Sequence, residues 1–237
     1  MGDLTIIYCS SNMEDPKFEQ RIRDTILKNC GELDIICVSQ KPIKNFGMNI
    51  VVGDTIGVSG FNFFRQVQIA LREAKTKFVI SAEADCCYPP DYFTFAPRTT
   101  PFFEKPLENM CYRNSNLYVM GDHRDYWFYK PGGATHAQIV GREFYLDTLN
   151  KLFEGEPQWS PEQKNFPKEK FRGKREDVFD EIIYYRTKNP VFQIKTHRSM
   201  RYYTSSERVP IYDLPYWGNG KKIRNHYLKG VKEVYAS

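Results

Sequence analysis

A mixed α/β domain built on a mostly parallel sheet is the fold class the sequence predicts, and three observations predict it. Short apolar runs rich in Ile and Val alternate with segments whose apolar residues recur about four apart. The loops between them are short and marked by Gly, Pro, Asn and Ser. The alternation is regular over the first 85 residues, and no internal repeat interrupts it. Strand–helix–strand order of this kind buries a parallel sheet under helices.

Leu4-Thr5-Ile6-Ile7-Tyr8 reads as the first buried strand, with Ser10-Ser11-Asn12 as the loop after it. Asp15-Pro16 opens a helix, with an acid to cap the free N–H groups and a proline suited to the first turn. Phe18, Ile22 and Ile26 then give one apolar face through about Asn29. Asp34–Val38 is a second buried strand and Asn49–Val52 a short third. Gly53, Gly57 and Gly60 punctuate a loop, after which Phe63, Phe64, Val67, Leu71 and Ala74 form a helical stripe ending near Lys75. Phe78–Ala82 is the next strand.

That strand runs into Glu83-Ala84-Asp85 and is halted by Cys86-Cys87-Tyr88-Pro89-Pro90. In extended backbone, residues two apart point to the same side, so Glu83 and Asp85 are expected to present two carboxylates together. Two hard anionic donors at a strand end suit a divalent cation, and a cation can hold a phosphate. An acidic solvated turn is the plain alternative. In open parallel sheets ligands bind beyond the carboxyl ends of the strands. Cys9–Asn12, Gly53–Asn62 and Glu83–Pro90 would share that edge.

Farther along, Asn116–Met120 and Tyr126–Tyr129 read as strands paired through Gly121–Asp125, followed by a tight Lys130-Pro131-Gly132-Gly133-Ala134 loop. Arg142–Phe153 reads as a helix. Residues 154–174, rich in Pro, Lys, Glu and Gln, read as an excursion. Arg175–Lys188 reads as a helix stopped by Asn189-Pro190, and Val191–Lys195 as the last strand.

Composition narrows the partners. No run approaches the ~18 apolar residues of a membrane span, and the N-terminus lacks the basic start of a signal peptide. Six cysteines show no zinc or redox spacing and read as reduced, buried thiols of a cytoplasmic protein. Aromatics make up 15% of the chain, enough to supply stacking surfaces for a base or sugar besides a core. Residues 1–163 carry 17 Lys/Arg against 21 Asp/Glu, whereas residues 164–237 carry 17 against 8. A basic last third suits an anionic partner such as a nucleotide diphosphate or nucleic acid.

Two strand-end carboxylates, a Gly-Gly loop, Glu176-Asp177 and then His197 just past a strand occur here in that order. This order resembles the GT-A fold nucleotide-sugar glycosyltransferases, particularly the family 2-like enzymes. The resemblance is loose over 1–95 and more specific over 78–91, 131–144 and 175–197. Glu83-Ala84-Asp85 stands where that family usually carries Asp-x-Asp. The resemblance implies a single catalytic domain, 1–237, with a nucleotide-binding half (1–95), an acceptor and catalytic half (96–200) with a small antiparallel portion, and a C-terminal lid or tail (201–237). It implies a Mn²⁺ or Mg²⁺ ion held by Glu83, Asp85 and His197, with His226 as second choice for the histidine.

Asp177 is then the base that deprotonates the acceptor hydroxyl in an inverting displacement, and Glu176 holds that hydroxyl. Ser10, Ser11, Asn12, Asn62, Arg65, Ala84, Gly132, Gly133 and Lys221 would bind the nucleotide-sugar donor, a UDP-sugar. The acceptor would be a hydroxymethylated base in DNA, as in phage-type base modification, or a glycan or protein. A nucleotidyltransferase of related fold and a non-catalytic sugar- or nucleic-acid-binding module are the competing readings. Against the first, Cys9–Asn12 lacks a Gly/Arg/Lys-rich triphosphate loop.

Overall fold

The computed structural model describes residues 3–97, 106–160, 178–196 and 209–231. In chain order its elements are β1 (Leu4–Ser10), α1 (Pro16–Asn29), β2 (Ile35–Ser39), β3 (Met48–Val51), α2 (Gly60–Glu73), β4 (Phe78–Glu83), β5 (Cys86–Cys87), α3 (Pro90–Phe93) and β6 (Cys111–Asn114). They continue with β7 (Leu117–Gly121), β8 (Phe128–Tyr129), β9 (Gln138–Gly141), α4 (Arg142–Leu152), β10 (Ile182–Tyr185), β11 (Val191–Lys195), β12 (Asp213–Leu214), β13 (Gly218–Asn219) and α5 (Gly220–Leu228).

The main sheet has seven strands in the order β10-β6-β9-β4-β1-β2-β3. Every neighbouring pair is parallel except the two made by β9, which runs against both β4 and β6. A second sheet of four strands has the order β5-β11-β7-β8. This is a mixed α/β architecture: a mostly parallel central sheet flanked by helices, with a smaller sheet beside it.

The sequence builds these layers by alternation. Ile6 and Tyr8 of β1 enter a core with Phe18, Ile22 and Ile26 of α1, while Ile7 and Cys9 face a second core with Phe64, Val67 and Leu71 of α2 and Leu149 of α4. α1 starts where expected because the Asp15 carboxylate accepts from the Lys17 N–H at 2.9 Å and Pro16 follows it. α2 starts three residues earlier than its apolar stripe, because Ser59 caps it by accepting from the Asn62 N–H at 3.1 Å. All six cysteines are free and buried.

The expected helix over Arg175–Lys188 is corrected where it is described. Residues 182–185 are a strand, β10, paired in parallel with β6 from Ile182↔Cys111 to Tyr185↔Asn114. The run Ile182-Ile183-Tyr184-Tyr185 is β-branched and aromatic, and an open edge at β6 was there to receive it. The strand before the acid pair also stops sooner than an extended reading requires. β4 ends at Glu83, and Ala84 and Asp85 form a turn.

Over 209–231 the C-terminal segment is packed onto the body. The Trp217 indole N–H donates to the Pro190 carbonyl at 2.7 Å, and the Tyr216 hydroxyl donates to Asn29 Oδ1 at 3.0 Å. Arg21 on α1 donates to the Tyr227 carbonyl on α5 at 2.7 Å. No helix of the described residues is long and apolar enough to cross a membrane.

Candidate functional site

The carboxyl ends of β1, β2 and β4 are level with one another. Register pairs Cys9 with Glu83 across β1–β4, and Ser10 with Ser39 across β1–β2. Gln66 of α2 fastens the β1 and β2 ends together, its amide donating to the Ser10 and Val38 carbonyls, both at 3.1 Å. The Ser10 hydroxyl accepts from the Asn12 N–H at 2.9 Å. Asn12 itself has a left-handed φ of 54° and caps the next loop through Lys41 N–H at 2.8 Å. The Ser10–Asn12 loop thus takes its shape from these hydrogen bonds at the edge where Glu83 emerges.

At Ala84–Asp85 the chain crosses from the main sheet into the second one. The Asp85 carbonyl accepts from Ile194 N–H at 2.9 Å, and Cys86 and Cys87 then pair antiparallel with Gln193 and Phe192 of β11. This crossing brings β11 against the acid pair. Gln193 donates to Asp85 Oδ2 at 2.8 Å, Lys195 Nζ lies 3.7 Å from the same oxygen, and the Cys86 thiol donates to Asp85 Oδ1 at 3.2 Å.

His136 completes the group from the other side. β9 pairs antiparallel with β4, Ile80 opposite Ile139, and continuing that register past the ladder brings His136 opposite Glu83. The ladder's place there is taken by one side chain: Glu83 N–H donates to the Tyr88 hydroxyl at 3.0 Å, and that hydroxyl donates to the His136 carbonyl at 2.8 Å. Replacing Tyr88 by Phe is expected to take this partner from the buried His136 carbonyl and from the part-buried Glu83 N–H. The expected cost is about 1–3 kcal/mol for such a lost network, read as a lower urea midpoint; an unchanged midpoint would show that the hydroxyl does not tie the two segments.

Charge in the site is finely balanced. Burial, then the Asp85 charge, raises the Glu83 carboxyl to about 7, against the opposing pull of Lys195 and Lys130. Burial raises the Cys86 thiol, with Asp85 and Glu83 adding to it. Burial and then Lys195 lower Lys130. Burial, followed by Lys130, Lys195 and Arg113, holds His136 well below the usual imidazole range, so it stays neutral. A divalent cation fits this donor set. One ligand atom each from Glu83, Cys86 and His136 lies within 4.8 Å of the others, and His136 Nε2 is buried with no hydrogen-bond partner among the described residues.

The expected site residues divide accordingly. Glu83 ends β4 level with the ends of β1 and β2, and Ala84 and Asp85 form the turn that follows. Gly132 and Gly133 both have left-handed φ, 82° and 66°, and lead into the turn that carries His136. Gly133 is also crowded, since a Cβ there would meet Tyr184 Cε1 at 3.0 Å. Asn62 is occupied with backbone: it donates to the Ile56 carbonyl at 2.5 Å and the Ser160 carbonyl at 2.9 Å, and accepts from Ser160 N–H at 2.9 Å. Arg65 lies over the Phe153 ring at 4.0 Å and donates to the Glu156 and Pro157 carbonyls at 3.0 and 2.6 Å.

Lys221 and His226 are exposed on α5. Glu176, Asp177 and His197 lie outside the described residues. Cys86, His136, Lys130, Gln193 and Lys195 join the site without having been singled out. Cys86 was legible as a thiol directly after the acid pair, whereas His136 carried no local signal.

No protein-family model matches the chain, and no curated protein matches it. Among solved structures it is similar to residues 1–349 of S. aureus TarS in complex with UDP-GlcNAc, with 12% identity and a TM-score of 0.45 over 85% of this chain and 62% of that one. It is also similar to a glycosyltransferase involved in glycosylating the major capsid of PBCV-1, with 11% identity and a TM-score of 0.42 over 80% of this chain and 92% of that one. A third is the bifunctional IspDF of Campylobacter jejuni, with 11% identity and a TM-score of 0.37 over 78% of this chain and 50% of that one. The chain therefore spans less than two thirds of the TarS fragment and half of IspDF.

Proposed function

We propose that the protein is a glycosyltransferase that moves a sugar from a nucleoside diphosphate sugar to a hydroxyl acceptor. The observation that supports it is Glu83 and Asp85 at the exit of β4, level with the ends of β1 and β2, with Lys195 and Lys130 beside them. When the glycosidic bond breaks, negative charge grows on the departing diphosphate, and fixed positive charge is needed there.

A divalent cation held at this end of β4 would supply Lewis-acid charge for that departure. Lys195, now 3.7 Å from Asp85, and Lys130 are placed to add positive charge to the same region. The shaped Ser10–Asn12 loop borders the donor on the nucleotide side, and the Gly132–Gly133 backbone on the sugar side. Asp177 would take the acceptor proton, and Glu176 would hold the acceptor hydroxyl. The acceptor is a glycan or protein hydroxyl, or a hydroxymethylated base in DNA, for which the basic last third offers phosphate contacts.

A thermal-shift screen of nucleotide sugars tests the reading, because a ligand that binds only the folded state raises the midpoint. A UDP-sugar is expected to give the largest rise. Asp177→Ala is expected to keep that rise and lose transfer. Normal transfer by Asp177→Ala would remove Asp177 as the base; no rise with any nucleotide sugar would count against the donor class.

A further inference from the structure

We infer that Glu83, Cys86 and His136 form a binding site for a thiophilic divalent ion of the Zn²⁺ class, with Asp85 outside the ligand set. The donor chemistry argues for it. Carboxylate, thiolate and imidazole together favour Zn²⁺ over the oxygen-seeking Mn²⁺ and Mg²⁺. Their ligand atoms already lie within 4.8 Å of one another.

A second observation points to a ligand independently. His136 is only 4% exposed, and its Nε2 has no hydrogen-bond partner among the described residues. A buried polar nitrogen left in that state is costly, and a bound ion satisfies it. The backbone on both sides is pre-set by the Tyr88 hydroxyl, which bonds the Glu83 N–H and the His136 carbonyl. Two ligand residues are thus fixed relative to each other before any ion arrives.

Asp85 has other work. It accepts from Gln193, and Lys195 stands 3.7 Å away. It also accepts from the Cys86 thiol at 3.2 Å, a bond that ion binding replaces, since the thiol gives up that proton to become a thiolate ligand. Cys86 is fully buried, which speaks against a role as a nucleophile toward a large substrate. Three protein donors leave a fourth position of a tetrahedral ion for a water or phosphate oxygen. The inference shares this end of β4 with the proposed donor site and rests on that reading only for what the ion would do there.

The test needs no sugar nucleotide, so its failure leaves the donor reading standing. Chelator-treated full-length protein is titrated with Co²⁺, and a near-ultraviolet thiolate-to-cobalt charge-transfer band is followed. Zn²⁺ and Mn²⁺ affinities are measured by competition. The band is expected in wild type and in Cys111→Ser, and is expected to vanish in Cys86→Ser. Zn²⁺ should bind at least about 100-fold more tightly than Mn²⁺. His136→Gln should weaken Zn²⁺ by about 10- to 100-fold or more. Zinc-edge X-ray absorption of the wild type should resolve one sulfur neighbour, a readout that stands even if a variant does not fold. No cobalt band, Mn²⁺ binding as tight as Zn²⁺, or a zinc shell without sulfur would overturn the inference.

Discussion

Asp85→Asn is expected to lower sugar transfer by about 10²–10³-fold, of the order lost when one preorganised polar group is removed from a reacting centre. The substitution keeps the shape of the side chain and one oxygen acceptor. That oxygen can still receive the Gln193 amide that now donates to Asp85 at 2.8 Å. The turn itself is held by backbone, through the Ile194 N–H to Asp85 carbonyl bond of 2.9 Å. What disappears is the negative charge facing Lys195 Nζ at 3.7 Å and sitting beside Glu83. The loss should therefore fall on turnover, with a urea midpoint close to that of the wild type. Full activity in Asp85→Asn, measured as release of nucleoside diphosphate in the presence of acceptor, would remove the acid pair from the mechanism.

Phe192→Ala is expected to cost about 3–5 kcal/mol of stability, as for a large aromatic removed from a closed core. Phe192 is fully buried on β11 and meets Trp217, Trp127 and Tyr227 with ring centroids 4.9, 5.7 and 6.2 Å away. It therefore joins the second sheet to the C-terminal segment. The same strand carries Gln193 and Lys195 to Asp85. Urea unfolding should show the loss directly, and hydrogen exchange should report the largest gain in opening at β11 and α5. A loss below about 1 kcal/mol would mean that the surrounding side chains collapse into the space.

The N-terminal half of the fold was legible because its signals are local. β1, β2 and β4 are continuous apolar runs, and α1 has its cap, its proline and a four-residue apolar period in one stretch. β6 and β9 were missed for the opposite reason. They are four residues each and carry Arg113, Asn114 and Gln138 into the interior. Those polar groups are tolerable only because distant partners satisfy them: Arg113 Nε donates to Gln138 Oε1 at 3.1 Å, and Asn114 donates to Thr187 Oγ1 at 2.8 Å. Such pairing depends on topology and leaves no local period.

The candidate site shows the same division. Glu83 and Asp85 announced themselves by ending an apolar strand. His136 did not, because a lone histidine becomes interesting only once an antiparallel register puts it across from Glu83. Lys195 likewise looked like the last residue of a strand until β5 paired with β11 and drew it to Asp85. The helix expected over Arg175–Lys188 failed at Ile182–Tyr185 because a sequence compatible with both periods went to the sheet edge that β6 offered.

The most direct measurement is calorimetric titration of UDP, GDP and ADP into wild-type protein and Asp85→Asn, each with and without added divalent ion. Saturable binding of one nucleoside diphosphate to the wild type, strengthened by the ion and lost or sharply weakened in Asp85→Asn, is the expected result. Binding that is the same in both proteins, or no binding of any nucleoside diphosphate, would contradict a diphosphate site at the end of β4.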